Sequence, residues 1–157
     1  MTVNVVLVSG EQAELIDAAV AVGDRYTKRL GLLTPTAYQQ AADEGGLLVA
    51  LEGERVIGYA FFGLPKRSRC VRLAHLCVAE EHRGKRAARQ LVQAMREAQS
   101  HRLAIKVRCR RDYELSGMWT SLGFVPRGEG LGRGLKRKTQ DSWWLDLGKL
   151  RAKLCWW

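Results

Sequence analysis

The stretch "LAHLCVAEEHRGKRAARQLVQAMREA", residues 73–98, decides how this chain is read. It joins an apolar, strand-like run to a basic turn, and then to a helix with Ala87, Ala88, Leu91, Val92, Met95 and Ala98 on one face. Four cations, Arg83, Lys85, Arg86 and Arg89, crowd the mouth of that helix. A helix dipole favours anions at its N-terminus, so cations there call for something negative among them. The first-turn N–H groups have no acceptor within the helix, and such converging donors make a phosphate site. Gly84 frees the turn, and Ala87 and Ala88 are small enough for close approach. The residues therefore predict a phosphate group on the helix start. The pattern is neither GxxxxGK[ST] nor GxGxxG.

Outward from that stretch, the chain alternates strands and helices. "VNVVLV" (3–8) reads as a first strand and "SGEQAELIDAAVAVGDRY" (9–26) as a helix with Leu15, Ala18, Ala19 and Val22 recurring. A second helix starts near Thr34-Pro35, with Thr34 as cap, and ends at Gly45-Gly46. "LLVALEGERVIGYAFFG" (47–63) is a hairpin turning at Glu52-Gly53-Glu54, and "CVRLAHLCVAE" (70–80) is a strand. After the helix come a strand "RLAIKVRC" and a short helix "DYELSGMWTSL" (112–122), capped by Asp112, with Leu115, Met118, Trp119 and Leu122 on its apolar side. "GFVPRGEG" and "SWWLDL" are extended, with an irregular basic stretch "LGRGLKRKTQ" between them. The order predicts a mixed α/β or α+β domain, helices covering a central sheet, over residues 1–148. Residues 149–157 form a basic, aromatic tail that folds back or meets a partner, such as a second copy of the chain.

The chain has 157 residues and a net charge of +10, from 26 Lys and Arg against 16 Asp and Glu. The excess lies after Leu64, in "PKRSRCVR", "HRGKRAAR", "KVRCRR" and "GRGLKRK". Anionic partners are favoured: a phosphate-bearing cofactor, an RNA or an acidic protein. No apolar run is long enough for a membrane span, and the N-terminus lacks the basic start of a signal peptide. Cys70, Cys77, Cys109 and Cys155 form no CxxC pair, which predicts reduced thiols, a cytoplasmic protein and no metal site.

The strand, turn and helix resemble those of the GNAT family of N-acetyltransferases. In that family a turn patterned [Q/R]-x-x-G-x-[G/A] follows the fourth strand and binds the pyrophosphate of acetyl-CoA. "RGKRAA" matches with Arg83 first and Ala88 last, while Arg86 stands at the usual glycine. "DYELSGMWTSLGFV" resembles the family's late helix, closing on Leu122-Gly123-Phe124. The resemblance spans roughly residues 3–147. It implies an acyl-CoA N-acyltransferase-like fold with a mostly antiparallel mixed sheet, and acetyl transfer from acetyl-CoA to a primary amine. The pantetheine arm would lie along Leu76, Cys77 and Val78. The amides of Gly84, Lys85, Arg86, Ala87 and Ala88 would take the pyrophosphate, and cations including Arg83 and Arg89 a further phosphate.

Acetyl transfer needs an amine freed of its proton, donors for the oxyanion, and a route for the thiolate. The resemblance assigns the oxyanion to the Val78 N–H. The family's usual acid, a tyrosine, is here Trp119, which cannot protonate a thiolate; Arg72 stands where some members carry a glutamate. His75 is the candidate base by its ordinary pKa. Tyr113 and Ser116 are candidate proton donors. Cys77 reads as a small core residue rather than a nucleophile. The acceptor is a small-molecule or macromolecular amine, and the basic patches suit aminoacyl-tRNA as in toxin members of the family. The rivals are a non-catalytic acyl-CoA binder and a plain nucleic-acid binder.

Overall fold

The computed structural model describes residues 2–84, 86–133 and 137–147. The chain forms two compact units, one of Met1–Leu64 and Ala74–Ala98, the other of Pro65–Leu73 and Gln99–Trp157. The first holds β1 (Val3–Leu7), α1 (Ala13–Asp24), α2 (Thr27–Leu30), α3 (Pro35–Asp43), β2 (Leu47–Glu52), β3 (Arg55–Gly63), the end of β4 (Cys70–Val78) and α4 (Ala87–Ala98). Local chemistry explains most of these bounds. Thr34 Oγ1 accepts from the Ala37 N–H at 3.3 Å, with Pro35 opening α3. The hairpin closes on Glu52 opposite Arg55, with Gly53 left-handed at φ 64. The four-residue α2 is too short to show a period, and the sequence reading missed it.

Strand order in this unit is β1-β2-β3-β4, with β1–β2 and β2–β3 antiparallel. Ile16, Ala19 and Val22 of α1 and Tyr38, Ala41 and Ala42 of α3 form one core with Leu47, Val49, Tyr59 and Cys77. Leu48 and Ala50, alternating with these, are buried on the other face. Helix α4 packs on β1, β2 and β3, and buries Ala87, Leu91, Val92 and Met95.

In the second unit β5 (Ala104–Arg110) pairs in parallel with Cys70–Leu73 of β4, and β7 (Thr139–Asp146) lies between β5 and β6 (Val125–Leu131), antiparallel to both. Ile105, Val107, Trp143 and Leu145 are buried on one face, while Lys106 and Arg108 of the alternate register are exposed. Helix α5 (Ser116–Ser121) buries Trp119, whose ring meets Phe124 edge-on at 5.3 Å. Asp112 is not its cap: it lies in a 3₁₀ turn, Arg111–Tyr113, held by Arg110, and Leu115 precedes the helix without a side-chain cap. β6 and β7 also reach to Leu131 and Thr139, into the stretch read as irregular. The expected tail, 149–157, lies outside the described residues. The result is a mixed fold whose mostly antiparallel strands are flanked by helices, with β4–β5 the parallel pair. Cys70, Cys77 and Cys109 are free thiols. No described helix is long and apolar enough to cross a membrane.

Candidate functional site

The end of β4 and the turn into α4 are fixed by bonds within the first unit. Ala79 N–H donates to the Ile57 carbonyl on β3 at 2.8 Å. Successive N–H groups of a strand point to opposite edges, so those of Val78 and Leu76 face away from β3. The Cys77 carbonyl faces β3: a Cβ on Gly58 would sit 2.6 Å from it. Of the three residues expected along the pantetheine, Leu76 and Val78 thus present their backbone to the outer edge. Cys77 does not, because of this alternation. On that edge Arg83 Nε donates to the Val78 carbonyl at 3.1 Å.

A 3₁₀ turn, Glu80–His82, follows, closed by His82 N–H to the Ala79 carbonyl at 2.9 Å. Tyr26 anchors it, its hydroxyl accepting from the Glu80 N–H at 2.7 Å. The guanidinium groups of Arg25 and Arg83 each lie 5.3 Å from the Tyr26 ring centre, in cation–π range. Arg25 also grips Glu81 through two bonds of 2.8 Å, and this pairing holds the Glu81 carboxyl at about 2. Arg25 and Tyr26 carried no signal in the sequence, because they sit at the frayed end of a helical pattern.

Gly84 and Arg86 are both left-handed, at φ 83 and φ 64. The position where the family pattern has glycine therefore keeps a glycine-like backbone with an arginine on it, and the Arg86 side chain is exposed. A Cβ on Gly84 would meet nothing within 4 Å, so the turn needs glycine there for its φ and not for space. Within α4, Gln90 N–H donates to the Arg86 carbonyl at 3.0 Å, and the N–H groups of Ala87, Ala88 and Arg89 precede that bond. Ala87 is buried, Ala88 is half-buried and Arg89 is exposed. Lys85 lies outside the described residues. Left-handed backbone, the N–H groups of a helix start and cations make a fit for a phosphate or pyrophosphate.

His75 lies apart from this edge, 6% exposed. Its Nδ1 is 3.0 Å from the Tyr59 hydroxyl, which is 2.9 Å from that of Tyr38. The ring also bonds the Leu30 backbone, and burial, the larger effect, pushes its pKa down. One assignment satisfies every group: Tyr38 donates to Tyr59, Tyr59 donates to Nδ1, and the remaining ring N–H donates to the Leu30 carbonyl. As a base, His75 would have to give up Tyr59. Burial pushes the Cys77 thiol up to about 11, so it is protonated at neutral pH and suits the core rather than attack. Gly23 makes room for the chain of hydroxyls, since a Cβ there would lie 2.2 Å from Tyr38 Oη and 2.5 Å from Tyr59 Oη. A lone glycine inside a helical pattern was the one available sign of it.

The two proton-donor candidates belong to the second unit. Tyr113 is half-buried beneath the Arg110 guanidinium at 4.7 Å, and Ser116 is exposed at the start of α5. Trp119 is buried, and its indole N–H has no partner among the described residues.

The acetyltransferase (GNAT) domain model matches residues 24–135, well over half of the chain. No curated protein matches it in sequence. Among solved structures it is similar to Ard1 of Thermoplasma volcanium, with a TM-score of 0.79 at 15% identity over 95% of this chain and 100% of that one. The ribosomal-protein-S18-alanine N-acetyltransferase of Escherichia coli gives 0.74 at 11% identity, over 94% and 96%. YncA of Salmonella typhimurium, solved with acetyl-CoA, gives 0.73 at 18% identity, over 95% and 96%. These likenesses establish the fold. The sequence match, running from the end of α1 through the strand, turn and helix to the far side of β6, establishes more: the chain belongs to the GNAT acetyltransferase family.

Proposed function

We propose that this chain transfers the acetyl group of acetyl-CoA to a primary amine. The observation that carries the reading is the β4–α4 turn, with two left-handed residues, a helix start and exposed arginines, a donor set suited to a pyrophosphate. The outward backbone of Leu76 and Val78 would bond the pantetheine arm as an added strand does. The amine nitrogen attacks the thioester carbonyl carbon, and the Val78 N–H is our donor to the oxyanion. Collapse breaks the carbon–sulfur bond, the sulfur keeps the electron pair, and the amine proton passes to solvent. An indole is no acid, so Trp119 leaves coenzyme A to depart as thiolate. The solved relative that acetylates an alanine of ribosomal protein S18 supports an amine acceptor. The charge of the chain supports one that carries phosphates, such as an aminoacyl-tRNA.

Trp119 at the position of the family's acid favours a second reading, an acyl-CoA binder without turnover. Calorimetric titration with acetyl-CoA, and with coenzyme A beside it, tests both. One-site binding together with thiol release in the presence of an amine supports transfer. Binding without thiol release across small, peptide and aminoacyl-tRNA amines supports the binder. No binding overturns both.

A further inference from the structure

The charge of this chain is divided between its two units. Residues 65–73 and 99–157 carry 17 Lys and Arg against 5 Asp and Glu, whereas residues 1–64 and 74–98 carry 9 against 11. Within the second unit the acids are largely spoken for. Asp112 pairs with Arg110, Glu129 and Asp141 pair with Arg111, and Asp146 accepts from the Trp144 indole at 2.7 Å. The open face of the β5–β7–β6 sheet holds a different set. Arg72, Lys106 and Trp144 stand in register on neighbouring strands, with Arg108 two residues along β5. Lys106 Nζ and the Arg127 guanidinium each lie 5.0 Å from the Trp144 ring centre. Arg127 reaches the ring from the register shift between Pro126 and Gly128, and bulges commonly re-aim a side chain in this way. Arg72, Lys106, Arg108 and Arg127 have no carboxylate partner among the described residues. Beside them, Arg102 holds the loop of exposed Lys66, Arg67 and Arg69 through the carbonyls of Pro65 and Ser68, at 3.1 and 3.0 Å.

We infer that this face binds a nucleic-acid strand through its phosphates. Like charges gathered on one side of a sheet repel unless an anion lies among them. Cations about 5 Å apart across strands and about 7 Å apart along them suit a run of phosphates on an extended strand. An acidic protein fits less well, because protein interfaces build a core on apolar anchors. Among the described residues, Val125 is the one large apolar side chain strongly exposed on this face. The Trp144 ring is engaged by two cations, so it orders the charges rather than stacking a base.

The test is anisotropy with a labelled single-stranded RNA of about 20 nucleotides. The full-length chain should bind saturably, with log affinity falling against log salt at a slope of about −3, for roughly four phosphate contacts. Lys106→Glu/Arg127→Glu should weaken binding about tenfold or more. Arg72→Glu/Arg108→Glu reads the same face independently. Arg55→Glu/Arg96→Glu makes the same charge change on the first unit and should stay within about twofold. Equal binding of DNA supports the inference, since phosphates are the contact. Three results would overturn it: equal loss in all three variants, polyglutamate competing as well as RNA, or no binding at about 50 mM salt. Acetyl-CoA affinity, measured on each variant, should not change, so failure of the acetyl-transfer reading and failure of this one are told apart.

Discussion

Arg86 carries the sharpest local conflict in the chain. Its backbone is left-handed at φ 64, a conformation that costs a residue with a Cβ about 1–2 kcal/mol. Strain of this kind persists where the surroundings over-determine it, and here it lies in the turn proposed to take the phosphates of acetyl-CoA. Glycine would relieve the strain and remove the guanidinium together, while alanine would remove the guanidinium alone. Arg86→Gly should therefore gain about 0.5–1 kcal/mol in denaturant unfolding, and Arg86→Ala should gain nothing. Both should weaken acetyl-CoA binding about tenfold, the worth of a charge-assisted bond to phosphate. If both variants bind acetyl-CoA as the parent does, the Arg86 side chain takes no part in the site.

Helix α1 shows how an element can be shaped by what lies beneath it. Propensity favours alanine over glycine in a helix by about 1 kcal/mol. At Gly23 the added Cβ would lie within 2.5 Å of two tyrosine oxygens, on rigid rings that bond each other at 2.9 Å. Gly117, in α5, has nothing within 4 Å of the same atom. Gly23→Ala should therefore cost about 2–3 kcal/mol in urea unfolding, while Gly117→Ala should gain a few tenths to 1 kcal/mol. Equal effects at the two sites would mean that α1 can ride away from the sheet at no cost. The apolar stripe of α1 and the Thr34-Pro35 start of α3 were legible in the sequence, because periodicity and capping are local. The start of α5 was not. Asp112 has the right chemistry for a cap, but its carboxylate is held by Arg110 and the chain spends three further residues in a turn.

Across the whole molecule, the strand–turn–helix of residues 73–98 and the basic excess after Leu64 could be read from the sequence. The surroundings of His75 could not. Its partner Tyr59 lies 16 residues away and Tyr38 a further 21, and only the packing of α1 and α3 on the sheet brings them together. That packing sets the stability of the protein against pH. His75 is buried with its pKa lowered, so the unfolded chain takes up a proton that the folded one refuses. Its contribution is complete above the unfolded value of about 6.5 and is lost as pH falls below it. Cys77 works in the other sense: burial lifts its thiol to about 11, so stability is complete below the unfolded value of about 8.5 and is lost as pH rises towards 11. Tyr38 and Tyr59, also raised by burial, extend that alkaline loss. Glu81, held at about 2 by Arg25, adds a small exposed contribution that survives until strong acid. The melting temperature should form a plateau between about pH 6.5 and 8.5, with a shoulder on each side. His75→Gln should flatten the acid shoulder and Cys77→Ala the onset of the alkaline one, each at the expense of the plateau height. An acid shoulder unchanged in His75→Gln would mean that His75 titrates freely in the folded chain and that the Tyr38–Tyr59–His75 hydrogen bonds do not hold it neutral.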